Sequence, residues 1–201
     1  MAERSSVAVR PVGRRGPRPA SAPSPRVRSA VLGAAHELIE AGGFFGLTVD
    51  GLVDSSGVSK ATIYRWWENR AAVALDMLTE FAAGSPAAPE PEADAIGELT
   101  RLVRDEVSYL CTSAGSVIAG LVADAQRDAG RARTFEERYL APRRGRLDEV
   151  IRRAAAAGLL AGDVTHLAET IQSAVYGQLL LRSDGLDAAW VDRLLGRLVR
   201  G

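Results

Sequence analysis

Apolar residues recur at three- and four-residue spacing along most of the chain, as they do on one face of an α-helix. The first such stripe follows Pro25 and ends before the pair Gly42-Gly43; its members are Val31, Leu32, Ala35, Leu38 and Ile39. No sustained run alternates β-branched or aromatic residues with polar ones, which a β-strand would do. The pattern therefore predicts an all-α fold.

Three more helices are predicted between residues 48 and 83. Their boundaries are marked by candidate N-caps or by a helix-ending glycine, in chain order Thr48, Gly57, Ser59 and Asn69. The third helix of the chain is expected to run to about Trp67, and the fourth from Arg70 to about Ala83. The proline-rich segment 84–91 that follows cannot be helical, so it predicts a linker.

Five further helices are predicted beyond residue 93, at about 94–113, 115–129, 133–157, 163–182 and 187–199. Pro142 lies within the third of these. Because proline has no backbone N–H, it should kink this helix or end its first segment.

The last two predicted helices are apolar over broad surfaces. The residues concerned are Leu167, Ile171, Ala174, Val175, Leu179 and Leu180, then Trp190, Val191, Leu194, Leu195, Leu198 and Val199. Helices with so much apolar surface at the end of a chain need both a core and a partner. We therefore predict a homodimer formed through these two helices.

The charge of the chain sums to zero but is unevenly distributed. The 201 residues include 25 Lys+Arg and 25 Asp+Glu. Residues 1–28 hold seven arginines, one acid and five prolines, with few large apolar residues. Such a stretch cannot bury enough apolar surface to fold, so residues 1–24 are predicted to be a disordered basic arm. Two interpretations of the arm stay open: a solvated tail, or a contact to DNA phosphates or the minor groove.

Residues 25–83 and 93–201 are predicted to form two helical domains on either side of the linker. Neither domain is basic, because region 29–80 carries three basic and seven acidic residues and region 81–201 carries 15 and 17. If the chain binds nucleic acid, binding depends on a few placed side chains and on the arm, not on bulk charge.

The segment 47–67 has the layout of a helix-turn-helix, whose second helix enters the major groove of DNA. Positions that can face inward are Val49, Leu52, Val53, Val58, Ile63 and Trp67. Outward positions are Ser59, Lys60, Thr62, Tyr64, Arg65 and Trp66. This outward set offers cations, hydroxyl groups and aromatic rings, which suit phosphates and base edges. Phe44 and Trp67 are expected in the core, and Tyr64 partly buried with its hydroxyl group exposed.

A set of short motifs surrounds this segment. Gly43-Phe44 and Leu47-Thr48 precede Gly57-Val58-Ser59, Thr62-Ile63-Tyr64, the aromatic Trp67 and finally Asn69-Arg70. With these motifs, residues 26–80 resemble the N-terminal domain of TetR-family transcriptional repressors. The remainder is similar to that family in its helical pattern and length.

The resemblance implies a role for each outward residue. Thr48 and Arg70, at the starts of the second and fourth helices, would each hold a phosphate. The other contacts, to base edges and backbone, would come from the recognition helix and its cap: Ser59, Lys60, Thr62, Tyr64, Arg65 and Trp66. The DNA partner would be a palindromic operator, since a dimer presents two recognition helices.

The resemblance also implies a pocket for a small-molecule effector among the helices beyond residue 93. Candidate lining residues are Tyr109, Cys111, Phe135, Tyr139 and Tyr176. Ordinary burial preferences favour a place in the core for each of them, so the ligand-binding residues are unknown at this stage.

Asp163, His166 and Glu169 are candidate metal ligands, because their three-residue spacing could bring them to one helix face. An Asp N-cap with neighbours that the helix dipole favours is the preferred interpretation. We therefore predict no metal and no cofactor.

Several classes of protein are disfavoured. The single cysteine excludes an internal disulfide, and the two histidines leave little for a metal or triad site. There is no glycine-rich phosphate loop and no nucleophile with a recognisable base, so no enzyme is predicted. No apolar run is long enough to span a bilayer or resembles a signal peptide, which favours a cytoplasmic protein with no membrane partner.

The sequence thus predicts a ligand-responsive, DNA-binding repressor that acts as a homodimer and that a small-molecule effector releases from DNA. The alternative is an all-helical protein-interaction module without specific DNA binding, using the arm and the apolar C-terminus.

Overall fold

Helices make up most of the chain that the computed structural model describes, which is residues 22–83, 94–160, 164–181 and 185–199. Their bounds are α1 Pro25–Gly46, α2 Val49–Ser56, α3 Lys60–Trp66, α4 Arg70–Ala83, α5 Ala95–Leu110, α6 Ser113–Ala125, α7 Ala129–Phe135, a π-helical turn Glu136–Leu140, α8 Ala141–Ala156, α9 Leu167–Leu181 and α10 Ala188–Val199. No strand occurs in these ranges, and the all-α prediction is confirmed. Most of the predicted arm (residues 1–21), the linker 84–91 and Asp163 lie outside the described residues.

Side-chain caps set the boundaries of the first helices where the sequence placed them. Three caps accept a hydrogen bond from the backbone N–H three residues on: Thr48 from Gly51 at 3.0 Å, Ser59 from Thr62 at 3.2 Å and Asn69 from Ala72 at 2.9 Å. Gly57 ends α2 in the left-handed region, with φ +67°, and its N–H donates to the Val53 carbonyl at 3.0 Å. Only glycine adopts this conformation without strain.

The first helix is broken at the predicted glycine pair and continues for a short turn. Gly42 and Gly43 have non-helical dihedral angles, and Gly43 has φ +60°. The turn beyond them carries Phe44, whose backbone N–H donates to the Ser116 hydroxyl group at 3.2 Å. The break therefore directs this turn onto α6.

The boundaries of three C-terminal helices differ from the predicted ones. Helix α6 ends at Ala125 and α7 begins at Ala129, not at 133, because Asp128 caps it by accepting from the Arg131 N–H at 3.0 Å. The predicted helix 133–157 is interrupted by the π-helical turn, which places Pro142 in the first turn of α8, where a missing N–H is tolerated. Helix α9 begins at Leu167, four residues later than predicted.

The two predicted domains share one continuous apolar core. Helix α1 packs against α2 and α4 of its own domain and also against α6. In the C-terminal domain, α5 packs against α8 and α10, and α8 against α9. Within the described ranges no single helix is long and apolar enough to cross a bilayer; α5 and α6 meet that test only when joined across their 85° bend.

Candidate nucleic-acid interface

The inner face of the helix-turn-helix is fixed in the core. Leu52 of α2, Ile63 of α3 and Trp67 after α3 are buried, while Val53 and Val58 are half-buried against the same core. The core placement expected for Trp67, and likewise that for Phe44, is confirmed. With its inner face held in this way, α3 presents a fixed opposite face to the surroundings.

That opposite face carries the predicted contact residues. Ser59, Lys60, Tyr64 and Arg65 are exposed, as is Thr48 at the start of α2. Lys60 and Tyr64 are four residues apart, so they lie on one side of the helix. Tyr64 is 38% exposed. The hydroxyl groups of Ser59 and Thr62 are 2.9 Å apart, and Thr62 is half-buried.

Trp66 differs from its predicted outward position. Its side chain is half-buried and packs against the core. The guanidinium carbon of Arg65 lies 5.2 Å from the centroid of the Trp66 ring, within the range of a cation–π contact. Trp66 therefore holds the Arg65 guanidinium through its ring, in addition to the part of its own surface that stays exposed.

Lys60 has a partner that the sequence did not suggest. Its Nζ lies 2.7 Å from Oδ1 of Asp50 in the first turn of α2, and both side chains are exposed. The hydrogen bond and the charge of Asp50 raise the pKa of Lys60. An acid in a first helical turn is what the helix dipole favours, so nothing in the sequence pattern assigns Asp50 to the interface.

Arg70 links the start of α4 to the end of α1. Its guanidinium carbon lies 4.8 Å from the Phe44 ring centroid and 5.9 Å from that of Phe45, and its Nη1 donates to the Leu47 carbonyl at 3.4 Å. Arg70 is half-buried, whereas Phe45 is 82% exposed. The resemblance gave Arg70 only a phosphate contact; its packing contacts are an addition.

A partly buried set of polar side chains lies in the C-terminal domain, and we call Glu106, Tyr109, Tyr139, Arg143 and Tyr176 the tyrosine–arginine cluster. Tyr176 donates its hydroxyl hydrogen to Oε1 of Glu106 at 2.6 Å, and Nε of Arg143 lies 3.3 Å from the other carboxylate oxygen. The guanidinium carbon of Arg143 lies 3.6 Å from the Tyr139 ring centroid. Burial raises the pKa of all three tyrosines, so their hydroxyl groups stay protonated.

The five candidate lining residues divide into three groups. Phe135, Tyr139 and Tyr176 are buried, as expected, and the Phe135 and Tyr139 rings stack with centroids 5.4 Å apart. Tyr109 is half-buried. The core placement expected for Cys111 is wrong: α5 ends at Leu110, so Cys111 lies exposed beyond it. Its thiol donates to the Leu186 carbonyl at 3.2 Å.

The other C-terminal candidates are only partly described. His166 and Glu169 are exposed and 3.6 Å apart, and no group of three metal-ligating side chains occurs among the described residues. On α9 and α10, Ile171, Val175, Val191 and Leu195 are buried, whereas Leu180 and Leu181 are exposed. The side chains of Leu198 and Val199 lie outside the described part.

Comparison with known proteins identifies both halves of the chain. Residues 31–77 match the family of bacterial regulatory proteins described as the tetR family, and residues 89–198 match a tetracyclin repressor-like C-terminal domain. The HTH-type transcriptional regulator YdeS of Bacillus subtilis (strain 168) is 29% identical over 177 residues, covering 86% of this chain and 87% of that protein.

Solved structures with the same architecture include several regulators. The TetR family transcription regulator SCO0332 is 32% identical, with a TM-score of 0.70 over 88% of this chain and 98% of that one. A putative transcriptional regulator from Saccharomonospora viridis, solved in complex with choline, is 20% identical and shares the fold with a TM-score of 0.65 over 86% of this chain and 95% of that one. FadR from Bacillus subtilis, solved with stearoyl-CoA, is also 20% identical and shares the fold with a TM-score of 0.62 over 86% of this chain and 97% of that one. The chain belongs to the TetR family of DNA-binding transcriptional regulators.

Proposed function

We propose that the protein is a repressor that binds a palindromic operator as a homodimer and leaves it when its C-terminal domain binds a small-molecule effector. The observation that carries the proposal is the two-sided α3. Ile63 and Trp67 are buried, whereas Lys60, Tyr64 and Arg65 are exposed on the opposite side. A short helix anchored in this way can enter a major groove without rearranging the domain.

The proposed DNA contacts comprise base edges and phosphates. Lys60, Tyr64 and Arg65 are proposed to contact base edges and the flanking backbone. Ser59, Thr62 and Trp66 complete this surface from the cap and the half-buried side of α3. Thr48 at the start of α2, and Arg70 at the start of α4, are proposed to hold phosphates.

The ion pair between Lys60 and Asp50 adds a condition to DNA binding. To hold a phosphate or a guanine edge, Lys60 either leaves a carboxylate 2.7 Å away or shares its ammonium group with it. Because the pair is exposed, separating it costs little. Asp50 also repels nearby phosphates. The pair is therefore expected to weaken binding to DNA sites that offer Lys60 no better acceptor than the Asp50 carboxylate.

The proposed dimer interface uses α9 and α10. Leu181 is 83% exposed and Leu180 is 42% exposed at the end of α9. Leu179, Trp190 and Leu194 are half-buried. Leu180 and Leu181 form an exposed apolar surface at the end of α9. Association of two copies of the chain would cover this surface.

The tyrosine–arginine cluster is the proposed effector contact. Both oxygens of Glu106 already accept a hydrogen bond. The Tyr139 hydroxyl group, by contrast, is buried near Tyr176 without a well-formed hydrogen bond among the described residues. Arg143 has three N–H groups beyond those bonded to Glu106 and the Tyr139 carbonyl. These N–H groups and the Tyr139 hydroxyl group can donate to an effector that carries an acceptor such as a carboxylate.

Three ligands with one ring and different head groups test this chemistry: benzoate, benzyl alcohol and benzylamine. We expect benzoate to raise the melting temperature most, and Tyr139→Phe to reduce that rise. A larger rise with benzylamine would contradict a donor-rich site. We further propose that the protein is cytoplasmic and has no catalytic activity, as is usual for its family.

The central experiment measures binding to the DNA upstream of the protein's own gene across a salt series. Wild-type affinity is expected to fall steeply with salt, and Lys60→Ala to lower both the affinity and the salt slope, the latter by about one. Tyr64→Ala should lower affinity without this change in slope. Arg146→Ala, an exposed arginine on α8, is the matched control and should bind like wild type.

The proposal fails if Lys60→Ala and Tyr64→Ala fold normally and bind this DNA as well as the wild type does. Persistent absence of wild-type binding at low salt would instead favour the protein-interaction module.

A further inference from the structure

One carboxylate joins the recognition helix to the effector domain. Asp76 of α4 is only 14% exposed. Its Oδ2 accepts from the Trp67 indole N–H at 2.9 Å and lies 2.7 Å from Nη1 of Arg28. Its Oδ1 lies 2.6 Å from Nη1 of Arg138. One oxygen therefore serves the DNA-binding domain and the other serves the C-terminal domain.

Each partner of Asp76 has a definite place in the fold. Trp67 follows the last residue of α3 directly, and its backbone N–H donates to the Ile63 carbonyl at 2.9 Å. A movement of the indole thus displaces the end of the recognition helix. Arg28 lies in α1 and also bonds Glu80 of α4, so its contacts stay within the DNA-binding domain.

Arg138 belongs to the π-helical turn, which is held on two sides. Toward α4, Arg138 contacts Asp76 and also donates to the Thr79 hydroxyl group at 3.1 Å. The next residue, Tyr139, is fully buried in the tyrosine–arginine cluster under the Arg143 guanidinium. Because Tyr139 directly follows Arg138, a rearrangement of the cluster that moves Tyr139 also displaces the backbone of Arg138.

We infer that Asp76 is a positioning residue for the recognition helix, and that the π-helical turn transmits the state of the tyrosine–arginine cluster to it through Arg138. The inference rests on the proposed function, because the cluster is the proposed effector contact. When the cluster rearranges and Arg138 leaves Oδ1, the carboxylate keeps only Arg28 and Trp67 and turns toward them. The indole follows, and α3 changes its angle to the DNA.

The test is a double-mutant cycle that needs neither effector nor DNA. Arg143→Met withdraws the guanidinium from the Tyr139 ring and stands in for a rearranged cluster. The readout is hydrogen exchange of the Trp67 indole N–H, followed by NMR and assigned against Trp66 and Trp190. In the wild-type background we expect Arg143→Met to change this exchange rate by about fivefold or more, the lower end of typical couplings between sites. In an Arg138→Met background the change should fall to about twofold or less.

Arg28→Met is the matched control, because it removes a cation from the same carboxylate without touching the C-terminal domain. In this background Arg143→Met should still change the Trp67 exchange rate. Arg138→Lys, which retains the charge, should restore part of the coupling. If Arg143→Met prevents folding, Tyr139→Phe takes its place in the cycle.

Two results would overturn the inference: no response of Trp67 to the cluster variant in the wild-type background, or an undiminished response without Arg138. If the response of Trp67 to the cluster variant falls equally in the Arg28 and Arg138 backgrounds, Asp76 has only a structural role and the inference is also overturned. The same variants are then titrated with the upstream DNA. Failure of the wild type to bind that DNA contradicts the proposed function alone, since the exchange cycle is decided without it.

Discussion

Gly120 of α6 is a position where one added methyl group should disrupt the packing between the two domains. An alanine Cβ there would lie 2.1, 2.3 and 2.5 Å from three atoms of the Phe44 ring. Carbon atoms pack at about 3.5–4.0 Å, so the ring must move by more than 1 Å. Overpacking of this kind costs about 1–3 kcal/mol. Expelling the ring instead forfeits its burial, worth about 1.5–3 kcal/mol.

Helix propensity opposes this loss, because alanine is favoured over glycine by about 1 kcal/mol within a helix. We expect Gly120→Ala to lower the free energy of unfolding by up to about 2 kcal/mol, measured by urea denaturation. Gly145→Ala in α8 is the control, since a Cβ there meets nothing within 4 Å. It should leave stability unchanged or raise it by up to about 1 kcal/mol.

A second variant tests whether the ring is the cause. Phe44→Leu makes room beside position 120, so the double variant should be more stable than the sum of the two single changes predicts. If Gly120→Ala is as stable as Gly145→Ala, or if the two changes at positions 44 and 120 simply add, the close contact between α1 and α6 is refuted.

Three further predictions concern the DNA-binding domain. Asp76→Asn should lower stability at neutral pH by about 2 kcal/mol. Burial alone would raise the pKa of Asp76, but hydrogen bonds from Trp67, Arg138 and Arg28 outweigh it and lower the pKa. In urea titrations at several pH values, the stability difference from wild type should therefore be largest above about pH 4 and should shrink as the pH falls further. Gly57→Ala should cost about 1–2 kcal/mol, because φ is +67° and side chains disfavour that region, and a thermal melt showing no loss would contradict this. Ser59→Ala should cost about 1 kcal/mol through loss of the cap, whereas Ser59→Asn, a neutral residue that caps equally well, should keep the stability and still weaken DNA binding in the salt series, a separation that would not occur if Ser59 served only as a cap.

Local signals predicted the helix-turn-helix well. The caps Thr48, Ser59 and Asn69 act on amides three residues away, so a short stretch of sequence contains both partners. The buried side of α3 follows equally from the spacing of Ile63 and Trp67. These features need no knowledge of the rest of the chain.

Features that depend on distant partners were not predictable in this way. Lys60 meets Asp50 and Asp76 meets Arg138 only after the helices pack, and charged residues of either sign look alike as solvated positions in a sequence. Pro142 predicts a break in this region, but not that the break is the π-helical turn Glu136–Leu140 just before it. Cys111 was misplaced because average burial preference ignores that it lies just past the end of α5.

The contact between α1 and α6 also limits how domains can be exchanged between regulators. A chimera joining residues 22–83 to a relative's C-terminal half would bring a foreign α6 against Phe44. That helix would have to offer a glycine where Gly120 stands and a small hydroxyl-bearing side chain where Ser116 accepts the Phe44 N–H. Transplanting the exposed positions of α3 alone leaves this contact intact, and is the more direct route to redirecting the protein to a new DNA sequence.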